Sequence, residues 1–155
     1  MKIGIIGPSK LDNSKKDIIL EIAKKLIKHD IYLVPDKGSV SEFFAKEYLK
    51  AGGKKVYEII PLKDNEFGYD WINLKLGKII NCGTWRNQPE KLNEETHALI
   101  CLGYSTGGLI EMGYSKWFNP KPIYIIKELI SKELPEEIEK SLDLRYISYK
   151  NLEIK

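Results

Sequence analysis

The stretch Ala98-Leu99-Ile100-Cys101-Leu102-Gly103-Tyr104-Ser105-Thr106-Gly107-Gly108-Leu109-Ile110-Glu111 passes from an unbroken apolar run, through a polar glycine-rich turn, into a second apolar segment. Ala98 to Leu102 is short, aliphatic and ended by glycine, the pattern of a strand buried on both faces. Leu109 to Phe118 reads as a helix, so the turn joins a buried strand directly to a helix. That junction is the repeating unit of an α/β sheet.

The same alternation extends in both directions. Lys2 to Ile6 is a strand ended by Gly7-Pro8-Ser9-Lys10, and Ile18, Ile19, Ile22, Ala23, Leu26 and Ile27 place a helical stripe between about Ser14 and His29. Ile31 to Val34 is the next strand. After Pro35-Asp36-Lys37-Gly38, Ser39-Val40-Ser41-Glu42 has the Ser-x-x-Glu form of a capping box and opens a helix that stops at Gly52-Gly53. Further strands are expected from about Lys55 to Ile60, Ile79 to Cys82, Pro122 to Ile126 and Arg145 to Tyr149, with helices from Thr84 to Glu95 and Pro135 to Leu142. The segment from Leu62 to Lys78 is long for a connection and predicts either a functional loop or a surface loop anchored by Phe67, Tyr69 and Trp71. The order predicts one domain over 1–155: a Rossmann-like, doubly wound α/β fold with a mainly parallel sheet of six or seven strands and helices on both faces.

Composition narrows the partners. The 25 basic and 22 acidic side chains leave a net charge of +3, evenly mixed, so no basic stripe marks a DNA or RNA partner. No apolar run approaches the ~20 residues of a bilayer span, and Met1 to Gly7 is too soon interrupted for a signal peptide. No membrane partner and a cytoplasmic location are expected. Cys82 and Cys101, with His29 and His97, form neither a disulfide framework nor a zinc-like spacing; two reduced thiols, no metal and no resident cofactor are expected.

In a doubly wound sheet ligands sit beyond the carboxyl ends of the strands, so the turns after them carry the chemistry. Gly7-Pro8-Ser9 resembles a phosphate turn without being Gly-x-Gly-x-x-Gly. Asp36-Lys37-Gly38-Ser39 puts a carboxylate where it can accept from a ribose hydroxyl, or simply caps a helix. Gly103, Tyr104, Ser105, Thr106, Gly107 and Gly108 can turn several backbone N–H groups toward one anion at a helix N-terminus. With Gly108 as N-cap, Glu111 falls at N3, where it either caps the backbone or reaches the sugar of a bound nucleotide. A carboxylate there can offset the positive charge that builds on a ribose ring when an N-glycosidic bond breaks. Arg86 offers a planar fork for a phosphate, or a surface salt bridge. Trp71, Tyr69, Trp85 and Tyr104 can stack on a base or pack as lid and core.

Gly103 to Glu111, followed by Lys121-Pro122, resembles the Gly-rich, Gly-Thr-x-x-Glu and Lys-Pro signature of the LOG-like Rossmann proteins (Lonely Guy, the SLOG superfamily), a group once labelled lysine decarboxylase-like that includes molybdenum-cofactor carriers. Lys2 to Ser9, Gly38 to Gly53 and the Arg86-Asn87 pair are similar to further family segments in the same order, over residues 2 to 126. Ser105 stands at a glycine position of that signature and Gly108 at its threonine. The resemblance implies a nucleotide-binding fold, with Asn87 joining the binding positions and a homodimer or larger homo-oligomer as the assembly. It implies three possible functions. The first is hydrolysis of a nucleoside 5'-monophosphate, with Glu111 acting on the sugar and Arg86 orienting the phosphate. The second is non-catalytic carriage or sensing of a nucleotide or pterin-type cofactor. The third follows from Glu111-Met112-Gly113-Tyr114-Ser115, which resembles the nucleophile helix of nucleoside deoxyribosyltransferase-like enzymes.

Overall fold

Each β-branched run becomes a strand and each amphipathic stretch a helix in the computed structural model, which describes residues 1–155. The order is β1 (Lys2–Ile6), α1 (Lys16–Lys25), β2 (Asp30–Leu33), α2 (Val40–Lys50), β3 (Val56–Ile60), β4 (Lys78–Asn81), α3 (Gln88–Glu95), β5 (Ala98–Cys101), α4 (Thr106–Tyr114), β6 (Ile123–Ile126), α5 (Glu136–Glu139) and β7 (Leu144–Ile147). All seven strands form one sheet, β4-β3-β2-β1-β5-β6-β7. Every neighbouring pair is parallel. The chain therefore winds outward from β1 to β4, returns, and winds outward again from β5. The reversal puts a topological switch point between β1 and β5.

Right-handed crossovers send successive helices to defined faces. α1 and α2 cover one face, where Ile19, Ile22, Leu26, Phe44 and Tyr48 pack on Ile3, Ile5, Ile31 and Leu33. α3 and α4 cover the other, through Leu92 and Met112 on Ile6, Leu99, Cys101 and Ile123. Phe44 is fully buried; truncating such a side chain to alanine costs about 3–5 kcal/mol.

Three helices differ from the sequence expectation. α1 stops at Lys25 rather than His29 and is preceded by a 3₁₀ turn, Asn13–Lys15, whose Ser14 N–H is taken by the Asp12 carboxylate at 2.9 Å. α5 keeps only Glu136–Glu139 of the expected 135–142. α4 begins at Thr106, three residues before Leu109. Its two glycines looked like loop, yet Ser105 supplies the cap, its Oγ accepting from Gly108 N at 3.0 Å. Glu111 consequently sits in the second turn and is not an N3 capping residue.

Both thiols are free, and burial pushes Cys82 up to about 11 and Cys101 up to about 12. No helix is long and apolar enough to cross a membrane.

Candidate functional site

A cavity of about 420 Å³ opens at the carboxyl edge of the sheet, within the size range of small-molecule sites. Its floor is the end of β1 (Ile5, Ile6, Gly7), and its sides come from the turns after β2 and β5. Gly103 makes this close approach possible: at φ +114° it turns the chain out of β5, and an added Cβ would lie 3.1 Å from Pro8 Cδ.

Two helix N-termini meet here. Ser39 caps α2, its Oγ accepting from Glu42 N at 3.1 Å. Ser105 caps α4 and also donates from Oγ to Gly7 O at 3.3 Å, tying the β5 turn to the β1 turn. First-turn N–H groups have no intrahelical acceptor, and those of Ser41, Thr106 and Gly107 find none elsewhere in the chain. Each end also carries partial positive charge from its helix dipole.

The same cavity is also lined by two acidic side chains. Glu111 Oε2 accepts from Gln88 Nε2 at 3.1 Å. Burial, reinforced by the nearby Asp36 charge, pushes the Glu111 carboxyl up to about 7, against the opposing Gln88 bond. Asp36 is pushed up to about 6 by burial alone, and its buried Oδ1 has no hydrogen-bond partner. No lysine or arginine lines the cavity.

Trp71 and Trp85 complete the wall. Their rings stack at 5.0 Å between centroids, inclined by 29°. Trp71 comes from the long 62–77 connection, which is tied down along its length. Lys37 N donates to Trp71 O at 2.9 Å, Lys37 Nζ donates to Asp70 O, and Asn73 Nδ2 donates to Glu42 Oε2 at 3.0 Å. At its far end the buried Glu58 accepts from Leu76 N and Gly77 N, both at 2.8 Å.

Of the residues singled out in the sequence, Gly7, Ser9, Asp36, Ser39, Ser105, Thr106, Gly107, Gly108 and Glu111 line this one cavity. Pro8, Lys37, Gly38, Gly103 and Tyr104 flank it: the Pro8 carbonyl accepts from Val40 N, and Gly38 O accepts from Leu11 N. Arg86 is exposed and outside the lining. The turn that carries it is held by Asn87, whose Oδ1 accepts from Thr84 N and Oγ1 at 3.2 and 2.9 Å. That turn sends Trp85, not Arg86, to the cavity. Lys121 of the Lys-Pro pair is buried at the opposite edge, donating to Asn93 O and, at 3.3 Å, to Thr96 Oγ1. Its burial pulls the amine down to about 8. Gln88 and Ser41 line the cavity unforeseen. Only the Ser-x-x-Glu spacing hinted that Ser41 lies in a first turn, and nothing local marked Gln88.

The arrangement can receive an anion at its free N–H groups, hydrogen-bond donors at its two carboxyl groups and a flat ring beside the tryptophans. No protein-family model matches the sequence, and no curated protein matches it. Among solved structures the chain is similar to the molybdenum cofactor binding protein from the phototrophic bacterium Rippkaea orientalis, with a TM-score of 0.75 and 16% identity over 97% of this chain and 91% of that one. It is also similar to the Moco carrier protein from Chlamydomonas reinhardtii, at 0.72 and 19% over 96% and 90%. DNA processing protein A from Helicobacter pylori, described for its single-stranded DNA binding mode, follows at 0.67 and 15% over 97% and 77%. The chain thus shares the Rossmann-like fold of these structures.

Proposed function

We propose that this protein is a non-catalytic carrier of a phosphorylated small molecule of the pterin or nucleotide class. The observation that carries the proposal is the make-up of the cavity lining: two helix N-termini with unpaired N–H groups and two carboxyl groups without a cationic partner share one cavity. The structures with the same fold, a molybdenum cofactor binding protein and a Moco carrier, support a cargo of this kind.

Hydrolysis of an N-glycosidic bond suits the site less well. It calls for an ionised carboxylate beside the ribose, and burial disfavours that form of Glu111. It also calls for a cation on the phosphate, and Arg86 lies outside the lining. The same lack of lysine and arginine argues against a single-stranded nucleic acid, which needs a basic groove along several phosphates.

Titration of Trp71 and Trp85 fluorescence with AMP, GMP and the molybdenum cofactor, alongside chromatography for free base, tests the proposal. Saturable quenching with no base released is the expected result. Base released by the wild type but not by Glu111→Gln would make the protein a glycosidase instead.

We also propose a homodimer in the cytoplasm, built on the outer side of α4. Leu109, Ile110, Trp117 and Phe118 are exposed there, Trp117 by 72%. Phe44 is fully buried against the sheet and takes no part.

A further inference from the structure

We infer that Asp36 and Glu111 read the 2-amino-4-oxopyrimidine edge shared by pterins and guanines as specificity-determining acceptors; the inference rests on the carrier function proposed above.

The chemistry follows from what each group accepts. Phosphate oxygens are acceptors, and they belong with the free N–H groups of Ser41, Thr106 and Gly107. Placed against Asp36 and Glu111, a phosphate would meet two carboxyl groups with no lysine or arginine in the lining. The ligand is therefore oriented, with its non-phosphate end toward Asp36 and Glu111. That end has to donate hydrogen bonds, because no hydrogen bond reaches the Asp36 carboxyl and the Glu111 carboxyl has only the neutral Gln88 amide.

A 2-amino-4-oxopyrimidine presents an exocyclic amine and an adjacent ring N–H side by side, the donor pair that a carboxylate accepts with both oxygens. Adenine sets an unprotonated ring nitrogen beside its amine, so an acceptor would face an acceptor. Cytosine has the same defect. Hypoxanthine and lumazine keep the ring N–H and lose the exocyclic amine. The flat shape is met by the Trp71 and Trp85 rings, which line the same cavity.

The test compares pairs of ligands that differ only at the 2-position: GMP with IMP, and neopterin monophosphate with its lumazine counterpart. Tryptophan fluorescence and calorimetry give the constants, and guanosine serves as the phosphate-free control. In the wild type the amino-bearing member should bind at least about tenfold more tightly, the worth of one hydrogen bond to a charged group. Asp36→Asn should cut that preference to about threefold or less while leaving the penalty for removing the phosphate unchanged. Glu111→Gln is the parallel variant should Asp36→Asn fold poorly, and the wild-type pairs alone already decide the matter. Whichever amino-bearing arm binds more tightly identifies the source as guanine or pterin. Equal affinities within each pair, with GMP still far tighter than guanosine, would overturn edge recognition and leave the carrier function standing. Failure of every phosphorylated ligand to bind would overturn both.

Discussion

Glu111 should make the protein less stable as the pH rises, and replacing it should remove that dependence. Its carboxyl moves from an ordinary value of 4.5 to about 7 on folding, which corresponds to about 3 kcal/mol at about 1.4 kcal/mol per pH unit. Because the folded value is raised, the cost is absent below pH 4.5, grows as the unfolded chain ionises while the folded one does not, and is complete above about pH 7. Linkage with these two values gives a cost of about 1.4 kcal/mol at pH 5.5 and about 3.3 kcal/mol at pH 8. Glu111→Gln preserves the shape and can still bond Gln88, but it has no proton to lose. Its stability gain over the wild type should therefore be larger at pH 8 than at pH 5.5 by about 2 kcal/mol, or roughly 4–8 °C in Tm for a chain of this size. Thermal melts of both proteins at the two pH values, followed by circular dichroism, supply the double difference and cancel the titrating groups that do not interact with Glu111. A gap that stays the same at both pH values would refute the claim that burial holds this carboxyl neutral.

Glu58→Ala should destabilise the protein by about 1–3 kcal/mol in urea, since two part-buried N–H groups lose their acceptor, whereas Glu58→Gln keeps Oε1 and should stay within about 1 kcal/mol of the wild type. Both thiols should resist a disulfide reagent at pH 8, Cys101 more than Cys82, and both should titrate once the protein is unfolded; reaction of native Cys101 at the rate of a free thiol would contradict its burial. Sedimentation at micromolar concentration should show a dimer for the wild type and a monomer for Trp117→Glu, and a wild-type monomer would remove the α4 surface as an interface.

The strands were legible because a parallel sheet buries both faces, and runs such as Ile3 to Ile6 and Ala98 to Cys101 have little other use. Turns that follow strands converge by topology, so Gly7, Asp36 and Ser105 could be expected on one edge before any distance was known. Helix starts were harder. Gly107 and Gly108 have poor helix propensity, but a first turn is paid for by its cap, and Ser105 outweighs them. Arg86 shows a different limit. Its place after a strand suggested the cavity, yet a four-residue turn can present only some of its side chains inward, and Asn87 fixes this one with Trp85 inside. Gln88 meets Glu111 across two helices that pack on the same face, a proximity no local pattern records.

The switch point has one more consequence. Between the outward windings, the sheet is joined along a single seam, the ladder that pairs Ile3 to Ile6 of β1 with Ala98 to Cys101 of β5. The cavity stands at the end of that seam and draws on both sides of it: Gly7, Asp36, Ser39 and Trp71 from the first winding, Trp85, Ser105 to Gly108 and Glu111 from the second. Neither winding owns a complete site. A bound molecule therefore acts as mortar between two half-sheets, its affinity inseparable from how firmly they are joined, and a chain cut at the Gly83 turn would yield two pieces whose reunion the ligand itself could drive and report.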